Sequence, residues 1–296
     1  MNVLPFDRQV QIVALLMEGC SLRSINRLTK IHRDTISRLV LKYGWACERL
    51  HDRMMRNLQV SQIQIDDQWT FVHKKEKRLA ASDPREWGEN WLFLALASNE
   101  KAILSYAIGK RNAETARILS LDLRVRVRNT PQITTDGLAA YVDAIDEAFG
   151  ENVHFAQLVK NRRGSIHDQA PFIIKVIRSG NPEIGSISTS FIERFNASTR
   201  LFQRRFTRRT LAFSKNLANL RATVALWLAY YNFCWVLEHL KKTPAQMLGL
   251  TDHEWTISEL LTQALADPAT PTEEPPKPSP TAPGGPKLRL IMGGKK

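Results

Sequence analysis

The sequence predicts a protein of the α+β to α/β class. It should have a mixed β-sheet flanked by helices, with helical segments before and after it and a disordered tail. Three observations carry this expectation. Residues 5–43 repeat apolar side chains at helical spacing, residues 63–159 alternate short apolar runs with helical segments, and residues 267–296 hold too much proline to pack. The 296 residues suffice for two modest domains and a sizeable core, and a hydrophobic fraction of 43% is that of a globular chain.

The N-terminal elements come first. Val10, Val13, Ala14 and Met17 recur at helical spacing and stop at Gly19. Ser21 is placed to cap a second helix carrying Leu22, Ile25 and Leu28. After the break at Thr29-Lys30-Ile31, a third helix is expected from about His32 to Tyr43, burying Ile36, Leu39 and Val40 and ending at Gly44. Its other face carries Arg33, Thr35, Ser37, Arg38 and Lys42. Three short helices closing on a basic, hydroxyl-bearing one resemble a helix-turn-helix unit, here residues 1–58, whose third helix reads the major groove. A small helical bundle with a charged outer face fits the same residues.

The middle of the chain reads as strand, strand, strand, helix, strand, helix, strand. The strands are IQIDDQWTFV, WLFLALAS, AILSYAIG, PQITTDG and VHFAQLV, and the helices run from about Ala113 to Val127 and from Leu138 to Phe149. Consecutive strands followed by alternating units predict a mixed sheet covered by helices. Residues 161–188 are irregular and contain glycine, a candidate loop over a site. A helix bearing Glu193 follows, then a long one from about Leu211 to Val236. Residues 59–236 are thus expected to form the sheet domain and residues 237–266 a helical C-terminal segment. Eight of the chain's 14 prolines fall between Pro268 and Pro286, so residues 267–296 should be a disordered tail.

The charge balance points to a partner. Lys and Arg number 42 against 29 acids, giving a net charge of +13 and a pI near 9.9. Nucleic acid is the usual polyanion for such a surface, with a phospholipid surface or a merely solvated basic face as alternatives. Cys20, Cys47 and Cys234 lie far apart with no CxxC pair, which argues against structural zinc and fits a reducing compartment. The most apolar run, ATVALWLAYYNFCWVL, has 16 residues, short for a membrane span, and the N-terminus has no signal-peptide pattern.

Three carboxylates sit where chemistry would want them. On the QIDDQW strand, Gln64, Asp66, Gln68 and Thr70 share one face, and Asp67 points to the other, among apolar groups. An ionised carboxylate in a central strand is costly unless it is paired or binds a metal. Asp136 ends the fourth strand, where ligand sites gather in open sheets, although Asp-Gly is also a common turn and cap. Glu193 fits a capping box beginning at Ser190, but it also lies on one helix side with Asn196, Arg200 and Arg204. With Arg205, Arg208 and Arg209, these side chains are candidate DNA-phosphate contacts. Three oxygen ligands suit Mg²⁺, and two such ions about 3.5–4 Å apart can activate one oxygen and stabilise another in phosphodiester chemistry.

At these residues the chain resembles the insertion-sequence transposases with a DDE triad, in the family of the first-numbered bacterial insertion sequence. The resembling motifs are IDDQWTFV, TTDGLAAY, STSFIERFNASTRLFQRRFTRRTLAFSK and YYNFC…KKTPAQMLGL, which span most of Gln62 to Leu250. The resemblance implies a ribonuclease H-like fold with Asp66, Asp136 and Glu193 as first, second and third catalytic acids and metal ligands. It further implies Mg²⁺, with Mn²⁺ as a substitute and two ions expected, acting in cleavage of double-stranded DNA at terminal inverted repeats and strand transfer into target DNA. A homo-oligomer on DNA, in a bacterial cytoplasm and associated with the nucleoid, is the matching expectation, with no membrane partner. Relatives usually carry Arg and His where Trp235 and Leu237 stand here. That departure keeps one rival open, a catalytically decayed or domesticated DNA-binding protein acting as a repressor; a nuclease of the same fold without strand transfer is a second rival.

Overall fold

The computed structural model describes residues 3–160, 173–207 and 211–266. Its described residues form a sheet of six strands, β1 (Gln62–Val72), β2 (Gly88–Ala97), β3 (Ile103–Gly109), β4 (Gln132–Asp136), β5 (His154–Lys160) and β6 (Ile173–Ser179), in the order β3-β2-β1-β4-β5-β6. β1, β2 and β3 are antiparallel neighbours, and β4 runs parallel to both β1 and β5. This is the ribonuclease H-like mixed sheet. The helices α4 (Ala113–Arg126) and α5 (Ala140–Phe149) make the β3-to-β4 and β4-to-β5 crossovers that parallel pairing requires.

β6 corrects the expectation of an irregular segment over residues 161–188. It pairs antiparallel with β5 at the sheet edge, and its isoleucines Ile173, Ile174 and Ile177 are exposed. An edge strand with no buried face shows no period-2 alternation, so its sequence gave no strand pattern. Residues 161–172 of the candidate loop lie outside the described residues, as do Arg208, Arg209 and the Pro-rich residues 267–296.

The N-terminal helices are α1 (Phe6–Met17), α2 (Leu22–Thr29) and α3 (Arg33–Met54). Ser21 caps α2 through the Ser24 amide, and Lys30 in the left-handed region (φ 62°) turns the chain into α3. α3 does not end at Gly44 but continues for about ten further residues to Met54. The reason is packing: a Cβ on Gly44 would stand 2.5 Å from Cα and Cβ of Ala222. Glycine there is a close-approach residue where α3 crosses α7 (Leu217–Phe233), not a helix stop. α7 starts at its Asn216 cap rather than near Leu211 and buries Leu220, Val224, Trp227, Leu228 and Tyr231. One hydrophobic cluster runs from Ile12 and Ile36 through the sheet to Trp227 and Leu260.

Behind α7, α8 (Pro244–Met247) carries a full capping box between Thr243 and Gln246, and α9 (Ile257–Leu265) starts at the Thr256 cap. No helix among the described residues is long and apolar enough to cross a membrane.

Candidate active site

The site is built on β1. Its alternation sends Gln64, Asp66, Gln68 and Thr70 to one face, and every one of them hydrogen-bonds to the segment that begins with α6 (Ser190–Phe202). Gln64 Oε1 accepts from the Phe191 and Ile192 amides at 2.9 and 3.0 Å, capping α6 from outside. Asn196 Nδ2 donates to Asp66 Oδ2 at 2.8 Å, and Gln68 Nε2 donates to the Asn196 carbonyl at 3.1 Å. Thr70 Oγ1 donates to the Arg205 carbonyl at 3.0 Å. α6 is thereby fixed in register along the strand that carries Asp66.

This arrangement revises what the sequence implied about α6. The capping box from Ser190 does not form, because the cap position is Thr189 and two of the orphan amides are taken by Gln64. Glu193, in the first turn, accepts from Thr189 Oγ1 at 3.0 Å and is exposed. Asn196, expected to face DNA, is only 2% exposed and spends its amide on Asp66. Because α6 ends at Phe202, Arg204 and Arg205 lie beyond it. Arg205 is turned inward, its Nη1 on Ser214 Oγ at 2.8 Å, and burial lowers its pKa to about 10. Arg204 is exposed, but its Nε donates to the Gly19 carbonyl, tying this segment to the end of α1.

The second aspartate arrives through the parallel pair. Ile65 lies beside Thr135, so Asp66 and Asp136 are the next residues on neighbouring strands. Asp136 Oδ1 accepts from the Leu138 amide at 3.2 Å, and Gln157 Nε2 holds the Asp136 carbonyl at 2.9 Å. Asp136 therefore both shapes the turn, as the Asp-Gly pair suggested, and presents its carboxylate to the end of the sheet.

Asp67 points to the opposite face of β1, as the alternation predicts, and is paired there. Arg111, in the short connection between β3 and α4, donates Nε to both Asp67 oxygens at 3.1 and 3.0 Å. Its Nη2 reaches Asp136 Oδ2 at 3.5 Å, and the guanidinium lies 5.0 Å from the Trp91 ring centre. Burial pushes Asp66 up to about 7, and the charges of Asp136 and Asp67 add to that rise. Burial likewise pushes Asp67 up to about 6, against the pull of Arg111 and with the charge of Asp136 behind it. Three acids thus crowd one end of the sheet, and the Arg111 guanidinium is paired with two of them.

The donors present fit a hard cation. They are carboxylate oxygens, which Mg²⁺ favours, and two buried amide oxygens beside Asp66, Asn196 Oδ1 and Gln68 Oε1, find no hydrogen-bond donor among the described residues. The geometry stops short of a ready-made cage: among the described residues no three His, Cys, Asp or Glu side chains converge as metal ligands. The structure brings Asp66 and Asp136 together and fixes the Glu193 helix to the Asp66 strand, while the Glu193 carboxylate engages Thr189.

The expected DNA-facing residues divide. Arg33 and Arg38 are exposed along α3, and Lys42 is exposed with its ammonium 3.5 Å from Gln9 Oε1 and over the Tyr43 ring. Arg200 is half-buried, with its carbonyl accepting from Thr207 Oγ1. Sequence reasoning missed the parts that Arg111, Gln64 and Gln68 play at this site.

No protein-family model matches the chain, and no curated protein sequence matches it. Among solved structures, the chain is similar to the piggyBac transposase in its synaptic complex with hairpin DNA, at 10% identity and a TM-score of 0.43, covering 88% of this chain and 69% of that one. It is also similar to a chain of the simian T-cell lymphotropic virus intasome bound to a PP2A regulatory subunit, at 13% identity and a TM-score of 0.37, covering 97% and 80%. The Mos1 strand transfer complex gives 14% identity and a TM-score of 0.23 over 52% of this chain and 59% of that one.

Proposed function

We propose that this chain is a DDE transposase that cleaves double-stranded DNA at the ends of an insertion sequence and transfers the freed strand into target DNA. The observation that carries the proposal is the placement of Asp66 and Asp136 side by side on the parallel strands β1 and β4, with the Glu193 helix locked to β1 through Gln64, Gln68 and Asn196. In this reading Asp66, Asp136 and Glu193 hold Mg²⁺, which when bound polarises phosphate and lowers the pKa of an attacking oxygen. Asn196 orients the Asp66 carboxylate, and the Leu138 amide and the Gln157 amide group fix Asp136. In this reading Glu193 gives up the bond from Thr189 to join the other two acids at the metal. The exposed Arg33 and Arg38 on α3 are assigned to DNA, in keeping with a helix-turn-helix reader over residues 1–58. Arg200, Arg204, Arg208 and Arg209 are assigned to DNA phosphates. A homo-oligomer that holds two ends together completes the proposal.

The test is Mg²⁺-dependent cleavage and joining of a labelled donor plasmid carrying the element's own ends, wild type against Asp66→Asn. Wild type should nick and join, and the variant should bind the ends without cutting. Nicking without joining would make the chain a nuclease of the same fold. Binding with no cutting by wild type under Mg²⁺ or Mn²⁺ would make it a DNA-binding protein.

A further inference from the structure

Arg111 has no place in the chemistry described so far, yet it touches two of the three crowded acids. It sits just before Asn112, whose side chain caps α4 through the Thr115 amide, so its backbone is anchored at a helix start. Asp67, its main partner, has a side chain only 3% exposed and lies directly opposite Phe93 of β2. The Asp136 side chain is 34% exposed, and it receives the far end of the same guanidinium. One end of Arg111 is thus buried on an acid that points away from α6, and the other end lies on an acid that faces the site.

We infer that Arg111 is a resident counter-cation of the acid cluster, anchored by Asp67 and lying on Asp136 where a divalent metal would otherwise bring positive charge. The inference rests on the proposed metal-binding role of Asp66 and Asp136. It gives Asp67 the role of anchor for a positioning residue rather than that of a ligand. The chemistry is a competition: the Nη2 contact at 3.5 Å is long and half-solvated, so it restrains Asp136 and is the weaker of the two pairings. The Nε pair to Asp67, with two oxygens near 3.0 Å in a buried setting, keeps Arg111 in place when Asp136 is released. A metal arriving at Asp136 must displace Nη2 and also work against a full positive charge that stays nearby. Both effects weaken metal binding, and both prevent Asp66, Asp67 and Asp136 from repelling one another in its absence.

The test is Mn²⁺ affinity of the full chain, measured by calorimetry without DNA, for wild type, Arg111→Gln and Arg111→Lys. Lysine keeps a cation for Asp67, which protects the fold, and its single ammonium cannot hold both carboxylates. Arg111→Lys should tighten Mn²⁺ about threefold or more, and Arg111→Gln, which also removes the charge, should tighten it further. Affinity equal to or weaker than wild type in Arg111→Lys would overturn the inference, leaving Arg111 as the partner of Asp67 alone. Asp66→Asn and Asp136→Asn serve as references. If wild type binds Mn²⁺ and neither reference weakens it, the metal assignment itself fails, an outcome distinct from failure of the Arg111 role.

Discussion

The metal-free protein should lose stability as the pH rises from about 5 to about 8, and Asp66→Asn should remove much of that loss. Asp66 is pushed from 3.8 to about 7, chiefly by burial between β1 and α6. A group that holds its proton more tightly when folded stabilises the folded state at low pH. That stabilisation is complete below the unfolded value near 4 and is gone once the pH passes about 7. The rise amounts to about three pH units at about 1.4 kcal/mol each, about 4 kcal/mol in all, of which the part above pH 5, about 3 kcal/mol, is the ceiling for this comparison. Asp67, itself pushed up to about 6, titrates alongside it, which broadens the transition, and incomplete burial admits water, so a loss of roughly 1–3 kcal/mol is expected. Asparagine at position 66 keeps the shape and an acceptor for Asn196 without the charge. The assay is urea unfolding in the presence of a chelator at both pH values, for wild type and variant. Equal pH dependence in the two proteins, or a lower stability of Asp66→Asn at pH 8, would contradict this role for Asp66.

Other expectations follow from the same contacts. Gly44→Val should cost about 2–3 kcal/mol or prevent folding, because its side chain would enter Ala222 across the α3–α7 crossing, and a fall in Tm would register this. Gln64→Ala strips the acceptor from two α6 amides and should cost about 1–2 kcal/mol, with a larger proportional loss of DNA nicking as the Glu193 helix loosens; an unchanged nicking rate would detach that capping bond from the site. Arg126→Met leaves Asp122, bonded at 2.7 and 2.8 Å, without its buried partner and should cost about 2–4 kcal/mol by denaturant titration. Glu193→Gln should retain the fold and end binding while losing nicking. A misfolded product would show instead that its bond to Thr189 is what matters.

Much of this architecture was legible in the sequence because each sheet strand except β6 has a buried face or two. The alternation in QIDDQW told which face Asp66 and Asp67 take, and the structure keeps that division down to Thr70. β6 escaped because it lies at the edge with its isoleucines exposed. Gly44 misled because a glycine after apolar periodicity is usually a stop, while here it admits a second helix, and only the tertiary contact with Ala222 distinguishes the two. Asn196 and Arg205 share charge or polarity with their exposed neighbours, so composition assigned them to DNA. Their inward turn depends on where α6 ends and on what β1 offers. Arg111 was invisible for a similar reason: a lone Arg before a capped helix reads as a surface residue until β1 brings Asp67 beneath it. Trp235, the departure that left a rival reading open, packs on Phe202 at 4.8 Å and on Trp227 at 5.8 Å between ring centres, at the end of the Glu193 helix.

Asp66, Asp136 and Glu193 are proposed to act as one metal-dependent unit in strand transfer. The most direct measurement is joining of a pre-cleaved element end to a supercoiled target plasmid in Mg²⁺, comparing wild type with Asp66→Asn, Asp136→Asn and Glu193→Gln. Each variant should bind the end as wild type does and lose joining by about a thousandfold or more, with no further loss when two changes are combined, as expected for residues that work as a unit. Wild-type joining by any one of the three would remove that residue from the site and contradict the account.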